Sequence, residues 1–160
     1  MSISIALETA LQDDVRGLVA QLNEHLLPLS PPEFQFKMSV EQMSGVDTSV
    51  FVARDEAGTA VGMGALKVHS CALGEVKRMF TLPEVRGQRV GTALLAAIIA
   101  LARDKGLATV MLETGTGPGF DGAHRLYERS GFVARGPFLD YPDSEWSAFF
   151  EMPLTVAQPA

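Results

Sequence analysis

Residues 86–92 have the composition and position of a phosphate-binding turn. They follow a strand-like segment and precede a strongly apolar segment with helical character, so the turn stands at the start of a helix. The first amide groups of a helix have no intrahelical partner and lie at the positive end of the helix dipole, which suits them to phosphates. Arg86 and Arg89 add positive charge, and Gly87 and Gly91 permit close approach of the backbone to a ligand. The alternative interpretation is an ordinary strand-to-helix connection with solvated arginines.

The order of residues in this turn resembles the acyl-CoA-binding motif of the GNAT superfamily of N-acetyltransferases. That motif, Arg/Gln-x-x-Gly-x-Gly/Ala, aligns with residues 86–91, and Arg89 replaces its first glycine. An arginine at that position still offers its N–H, although it adopts a positive φ less readily than glycine does. The resemblance implies that acetyl-CoA or coenzyme A is bound by the turn and by the backbone of the preceding strand. The implied cofactor-binding residues are Met79, Phe80, Thr81, Arg86, Gly87, Gln88, Arg89, Val90, Gly91 and Thr92.

The same resemblance implies acetyl transfer to a primary amine by direct attack in a ternary complex, which requires a base to deprotonate the amine. Glu75 is one candidate, because it precedes Met79 by four residues, the spacing of the catalytic glutamate in the histone-acetyltransferase branch. Strand alternation predicts that these two side chains lie on the same face. The alternatives are a solvated Glu75 paired with Lys77 or Arg78, a water chain, or Glu113 at the end of the next strand.

A tyrosine in the second half of the chain is the candidate acid. Ala123, Leu126, Tyr127, Gly131 and Phe132 have a spacing that resembles the GNAT motif whose tyrosine donates a proton to the coenzyme A sulfur. A phenol with a pKa of about 10 can protonate a thiolate of similar basicity. The alternative role for Tyr127 is packing in the core on an amphipathic helix.

Acidic and aromatic residues predict the acceptor site. The segment 24–33 lies where GNAT proteins place the acceptor-binding loop, and a second group of such residues occurs at 138–146. Groups of these types suit a cationic or aromatic small-molecule amine. The candidate substrate residues are Glu33, Phe34, Glu113 and Tyr141, with Asp140 and Trp146 nearby. The resemblance is also compatible with acetylation of protein N termini or lysines, and with a non-catalytic, regulatory coenzyme A-binding module.

A second glycine-rich segment, at residues 117–122, matches the G-x-G-x-x-G pattern of dinucleotide-binding turns. Pro118 removes an amide that a phosphate would need. The short strands that follow leave no room for the second half of a Rossmann domain. We therefore predict a loop that borders the acceptor site.

The composition limits the class of protein further. The 160 residues are enough for one domain with its own core, predicted at 1–155, with a loose tail at 156–160. A net charge of −6 argues against non-specific nucleic-acid binding. The single cysteine excludes an intrachain disulfide, and the scattered histidines lack metal-ligand spacing, so no metal site is predicted. The chain shows no signal peptide and no long apolar run, which predicts a cytoplasmic protein without membrane association. The resemblance is compatible with a homodimer.

The elements that must position these residues alternate between strand and helix patterns. Their predicted order, β-α-α-β-β-β-α-β-α-β-β, is typical of an α/β (α+β) protein with a mixed sheet and helices on both faces. It matches the GNAT acyl-CoA N-acyltransferase fold, whose central sheet is mostly antiparallel. The glycine-rich strand at 61–65 predicts a bulge or a close neighbour. The helix at about 88–105 is apolar nearly all round, which predicts cover on more than one side.

Overall fold

The computed structural model describes residues 2–154, so residue 155 of the predicted domain and the predicted tail at 156–160 lie outside the described residues. The predicted order of elements is confirmed. The strands are β1 (Ser4–Leu7), β2 (Thr48–Arg54), β3 (Ala60–Val68), β4 (Leu73–Thr81), β5 (Thr109–Gly115), β6 (Val133–Arg135) and β7 (Ser147–Pro153). The helices are α1 (Asp13–Leu26), α2 (Val40–Met43), α3 (Val90–Asp104) and α4 (Asp121–Arg129). Short 3-10 turns occur at Pro32–Phe34, Pro83–Val85 and Pro118–Phe120.

The strands form one sheet in the order β1-β2-β3-β4-β5-β7-β6. Neighbouring strands are antiparallel except for β4 and β5, which run parallel. This arrangement confirms the predicted mixed, mostly antiparallel sheet. It also differs from a Rossmann domain, whose sheet is mostly parallel.

Helices cover both faces of the sheet, because its central strands are apolar on both sides. In β2, Val50 and Val52 pack in the cluster that contains α1 and α2. Phe51 and Ala53 pack in the opposite cluster, which contains α3. Alternate residues of one strand therefore contribute to two cores, as a strand buried on both faces requires.

The helix α3 is covered along one stripe only, so the prediction of cover on more than one side is wrong. The buried stripe includes Leu94 and Ile98. Ala93, Ala96 and Ala100 are exposed on the other side. Alanine counts as apolar in a sequence pattern, but its methyl group adds little hydrophobic area and its helix propensity is high. A helix therefore tolerates alanines that face solvent.

A β-bulge interrupts β4 at Arg78, which has a left-handed backbone φ of 56°. Met63 pairs with Phe80, but Ala65 pairs with Lys77, so β4 has one more residue than β3 between these pairs. The bulge confirms the prediction drawn from the glycine-rich segment of β3. An extra residue inverts the alternation of side chains along the strand that contains it.

The bulge decides the face on which the β4 side chains lie. Val76 belongs to the cluster on the α3 side, so its neighbour Glu75 points to the α1 side. Beyond the bulge, Met79 packs on the α3 side, and a Cβ atom at Gly64 would contact both Met79 and Ile98 there. The predicted common face for Glu75 and Met79 is therefore wrong, because the sequence periodicity does not include the extra residue.

The strands β4 and β5 separate after a short parallel pairing. Residues 73–75 pair with residues 109–111, and no further pair joins the two strands in the described chain. Beyond this point β4 continues alongside β3, and β5 continues alongside β7. The facing edges of β4 and β5 therefore lack strand partners, and a cleft opens between them.

Candidate active site

A cavity of about 870 Å³ occupies the cleft between β4 and β5. The start of α3 and one side of α4 form one end, and α1 with the segment 30–37 forms the other. The loop at 117–122 lines the cavity through Gly119, Phe120 and Gly122. The volume is typical of a site for a small molecule or cofactor.

At the start of α3, five backbone amides within residues 87–92 find no hydrogen-bond acceptor in residues 2–154. They belong to Gly87, Arg89, Val90, Gly91 and Thr92. Arg89, the residue before the helix, has a φ of 65°, and Gly87 has a φ of 84°. Left-handed residues in such a turn bring successive N–H groups into a concave, anion-binding arrangement. Arg89 thus takes the conformation that a glycine favours, and we call this group of amides the amide cradle.

Basic side chains surround the amide cradle. Four of them line this end of the cavity: Arg86, Arg89, Arg125 and Arg129. No carboxylate in the described part of the chain lies within ion-pair distance of these four. Gln88, which the resemblance also implies as a binding residue, does not line the cavity, and its Nε2 donates to the carbonyl of Glu84.

The strand residues Met79, Phe80 and Thr81 line the cavity next to the cradle. Met79 packs on the α3 side of the sheet, and Phe80 is buried on the α1 side. The backbone of Phe80 and Thr81 pairs with β3 on one edge, Met79 lies in the bulge, and the opposite edge faces the cleft without a strand partner among the described residues. The side chains therefore serve the core, while the backbone is free to bind a ligand.

Tyr127 lies on α4 with its ring packed between Phe132 and Phe150. The residue is buried and lines the cavity, but its hydroxyl makes no hydrogen bond to the described residues. Burial raises the pKa of Tyr127 above its ordinary value, and the charge of Glu113 raises it further. The phenol therefore keeps its proton across the physiological pH range.

Glu113, near the end of β5, lines the cavity opposite β4. Its Oε2 accepts a 2.8 Å hydrogen bond from the Oγ of Ser147. Desolvation raises the pKa of Glu113 to about 7, although the Ser147 hydrogen bond and the charge of Lys77 act in the opposite direction. A carboxyl group with this pKa exchanges protons readily at neutral pH.

Glu75 is buried beneath the cavity and does not line it. One carboxylate oxygen lies 2.8 Å from the Nε2 of His69, and the other accepts a 2.5 Å hydrogen bond from the hydroxyl of Tyr141. The Nζ of Lys77 lies 3.5 Å from the same carboxylate. The structure therefore gives Glu75 the predicted pairing with Lys77, but it is only 2% exposed, so the prediction that it is solvated is wrong.

Tyr141 lies in the segment between β6 and β7 and packs in an aromatic cluster with Phe36, Phe138 and Phe149. Its hydroxyl donates to Glu75 and accepts a 2.9 Å hydrogen bond from the Nζ of Lys77. Burial and the charge of Glu75 raise the pKa of Tyr141 above its ordinary value. Tyr141, a predicted substrate residue, does not line the cavity but supports its wall.

The acceptor end of the cavity is basic, whereas the sequence predicted an acidic one. Phe34 lines the cavity as predicted, but Glu33 is exposed to solvent and does not line it. Within the described chain, seven lysine and arginine residues and a single acidic residue, Glu113, line the cavity as a whole. Since the whole chain carries a net charge of −6, this cavity concentrates positive charge.

Sequence reasoning missed several cavity residues, and two of them, at the acceptor end, have a buried polar atom without a partner in the described residues. Arg78 lines the cavity from the bulge of β4, and Gln35 lines it from the segment after α1. The only signal for Arg78 was its position in the strand before the phosphate turn. Gln35 stands between Phe34 and Phe36, which mark an apolar wall rather than a polar group.

Residues 2–154 contain neither a metal-binding cluster nor a membrane-spanning helix. No group of three or more His, Cys, Asp or Glu residues is placed to hold a metal ion. No helix in this range has the length and hydropathy needed to span a membrane.

The separated β4 and β5, the amide cradle and the surrounding arginines define a GNAT-type acyltransferase fold. The protein-family model described as "Acetyltransferase (GNAT) family" matches residues 19–132, and the chain belongs to this family. The IAA acetyltransferase of Azospirillum brasilense is 39% identical over 96% of this chain and 99% of its own.

Solved structures agree with this assignment. A Klebsiella pneumoniae protein described as an acyl-CoA N-acyltransferase superposes with a TM-score of 0.78 at 31% identity, over 96% of this chain and 98% of its own. An aminoglycoside 6'-N-acetyltransferase solved with coenzyme A has a TM-score of 0.74 at 14% identity, over 98% of this chain and 99% of its own, and shows the fold alone. The predicted fold is therefore confirmed.

Proposed function

We propose that the protein transfers the acetyl group of acetyl-CoA to a primary amine of a small molecule, by direct attack of the amine in a ternary complex. The observation that carries this proposal is the amide cradle beside the unpaired edge of β4. The cradle suits a pyrophosphate, and a strand edge suits an extended chain that contains amide groups. Coenzyme A has both parts. The coenzyme A held by the aminoglycoside acetyltransferase of the same fold supports the proposal.

The residues at the cradle fit coenzyme A in charge and in access. The four arginines at this end have no ion-pair partner among the described carboxylates, so they are free to bind phosphate groups. Among the described residues, no heavy atom other than those of Gly87 and its two chain neighbours lies within 4 Å of the place where a Cβ atom of Gly87 would stand. A phosphate can therefore approach the backbone of the turn directly. When bound, acetyl-CoA supplies the activated thioester for the transfer.

Glu113 is the base in this proposal. An alkylammonium group has a pKa of about 10.4, and deprotonating it at pH 7 costs about 4.6 kcal/mol. Glu113 lines the cavity, and its pKa of about 7 lets it accept this proton near neutral pH. The hydrogen bond from Ser147 fixes one oxygen of the carboxylate, so the other is available to the amine or to an intervening water.

Tyr127 is the acid. As the nitrogen–carbon bond forms and the carbon–sulfur bond breaks, Tyr127 donates its hydroxyl proton to the leaving sulfur. The second proton that the nitrogen loses on becoming an amide then restores the Tyr127 hydroxyl through solvent. This hydroxyl has no competing hydrogen-bond partner in the described chain. Burial raises the pKa of Tyr127, and the same desolvation raises the pKa of a thiol whose thiolate forms beside it, so the two groups stay close in basicity.

Glu75 has a positioning role in this scheme. The Glu75 carboxylate and the Tyr141 hydroxyl that bonds to it together hold the ammonium group of Lys77. The positive charge of Lys77 in turn favours the anionic form of Glu113. The negative charge of Glu75 itself acts in the opposite direction on Glu113. Glu75 thus tunes the proposed base without contacting the cavity.

Two measurements on the purified protein test the proposal. Isothermal titration calorimetry measures the binding of coenzyme A and acetyl-CoA, and release of free thiol measures acetyl transfer across a panel of small primary amines. We expect binding of both nucleotides and thiol release with at least one amine. Binding of coenzyme A without release of its thiol from acetyl-CoA, in the presence of any small amine or any lysine-containing peptide, would instead support a regulatory module. Release with peptides alone would support a protein acetyltransferase.

A further inference from the structure

Arg78 is a buried arginine whose charge is not matched by the surrounding protein. Only 8% of the residue is exposed, and it lines the cavity from the bulge of β4. One terminal nitrogen donates to the side-chain oxygen of Asn23 on α1, and its Nε has no hydrogen-bond partner in the described chain. Among residues 2–154, no carboxylate lies within ion-pair distance of it. A buried guanidinium with an unsatisfied donor costs free energy unless a ligand completes it.

Gln35 presents the complementary group in the same cavity. Its Nε2 donates to the carbonyl oxygens of Leu26, Leu27 and Ser30, at 3.0, 3.2 and 2.6 Å. These three acceptors fix the orientation of the amide, because a flipped side chain would place oxygen against oxygen. The Oε1 of Gln35 is therefore the atom that faces away from them, and it is buried without a partner in the described residues.

The two unpaired atoms, Arg78 Nε and Gln35 Oε1, belong to the acceptor end rather than to the amide cradle. Arg78 contacts α1 through Asn23, and Gln35 is held by the end of α1 and the residues that follow it. The arginines of the cradle come from the turn before α3 and from α4. The phosphates assigned above to the cradle therefore leave Arg78 and Gln35 without a ligand.

We propose that the amine acceptor also carries an oxyanion, a carboxylate or a phosphonate, which Arg78 binds while Gln35 Oε1 accepts a hydrogen bond from an N–H or O–H of the acceptor. This inference rests on the proposed acetyltransferase function. A planar guanidinium with free N–H groups matches an oxyanion better than any neutral group does. Glu113 faces the ammonium group of the same acceptor and Arg78 faces its oxyanion, so each charged group of the ligand meets a charge of opposite sign in a cavity that is otherwise basic.

Matched pairs of amines test the inference. Phenylalanine is compared with phenethylamine, arginine with agmatine, and aminoethylphosphonate with ethylamine, all at saturating acetyl-CoA. We call the compound of each pair that carries a carboxylate or phosphonate its anionic member. In at least one pair, we expect the anionic member to have a kcat/KM about 10- to 100-fold higher, mainly through a lower KM. Preference in the first two pairs identifies a carboxylate, and preference in the third alone identifies a phosphonate.

Arg78→Met is the decisive variant, and Arg16→Met is its control. Arg16 is an exposed arginine of α1 that pairs with Glu41 at 3.3 Å and does not line the cavity. We expect Arg78→Met to remove the preference within the pair and Arg16→Met to keep it. Arg78→Lys keeps the charge without the planar donor group, and we expect an intermediate preference. Thermal melts of all three variants verify that each one folds.

A readout without turnover separates this inference from the proposed function. The anionic member of the preferred pair should raise the melting temperature of the original protein and not that of Arg78→Met. Equal kcat/KM within every pair, with coenzyme A binding and acetyl transfer intact, would overturn the inference and leave the proposed function standing. If no amine is acetylated, the proposed function fails, and equal melting shifts within every pair would then overturn the inference as well.

Discussion

The hydroxyl of Tyr141 donates a 2.5 Å hydrogen bond to the Oε2 of Glu75, although the two residues are 66 positions apart in the chain. This bond joins β4 to the segment between β6 and β7, across the place where β4 and β5 begin to separate. The same hydroxyl accepts from Lys77, so three polar side chains are satisfied at one buried point. The bond closes the base of the cleft on the α1 side.

Tyr141→Phe should destabilise the protein by about 1–3 kcal/mol, because the buried Glu75 carboxylate loses its hydroxyl donor. Urea unfolding at pH 7 measures this loss. The matched control is Tyr127→Phe, which removes a hydroxyl that has no hydrogen bond in the described chain and should change stability by less than about 1 kcal/mol. Equal stability of the two variants would contradict the structural role of the Tyr141 bond.

Tyr127→Phe should lower kcat by about 100-fold or more and leave the Kd of coenzyme A largely unchanged, because the ring stays in place and only the donated proton is lost. Single-turnover thiol release and calorimetry measure the two quantities separately. A rate equal to that of the original protein would remove Tyr127 from the mechanism. Arg16→Met serves for comparison, since Arg16 is exposed and does not line the cavity.

The pH dependence of the rate distinguishes the two carboxylates. Glu113 is active as a base when it is ionised, so kcat/KM should rise with pH through a pKa of about 7. Glu113→Gln should abolish this rise and lower the rate by about 100-fold or more. Glu75→Gln removes a negative charge that raises the pKa of Glu113, so the rise should move to lower pH and persist. A rise that survives in Glu113→Gln and disappears in Glu75→Gln would make Glu75 the base.

Gly87→Ala tests the left-handed turn of the amide cradle. Open space surrounds Gly87, so an added methyl group meets no neighbour and only the φ of 84° makes the substitution unfavourable. We expect a loss of stability of about 1–2 kcal/mol and a higher Kd for coenzyme A. Gly17→Ala, in the interior of α1 with equally open surroundings, should instead stabilise by about 0.5–1 kcal/mol. An unchanged Kd for Gly87→Ala would show that binding does not depend on this conformation.

The sequence was sufficient for the order of elements and the amide cradle, because both depend on local signals. Strand and helix periodicities, the proline before the turn and the glycines around it act over a few residues. The glycine-rich segment of β3 even predicted the bulge opposite Arg78. The surroundings of Tyr127, whose partners include Phe150 of β7, depend on pairings between distant strands, so only the family resemblance pointed to this residue as the acid.

The predictions that failed needed information that local patterns do not contain. The face of Glu75 was wrong because the bulge adds one residue to β4, and sequence alternation does not show which strand carries the extra residue. The acidic part of the predicted acceptor site was wrong and its aromatic residue Phe34 was right, because the turn at Pro32–Phe34 directs Glu33 outward and Phe34 inward. Arg78 was missed because a strand arginine is most often solvated, and its burial follows from the bulge and from α1.

Within residues 2–154, only three residue pairs join β4 to β5, so the sheet consists of two halves with a short connection between them. A ligand that forms hydrogen bonds along the open edges would act as an eighth, non-protein strand and would connect the two halves of the sheet. The rigidity of the sheet at this connection would then depend on the concentration of that ligand. Amide hydrogens in residues 76–81 and 112–115 should exchange with deuterium more slowly once the ligand is bound. Their exchange rate therefore measures the fraction of the protein that holds the ligand.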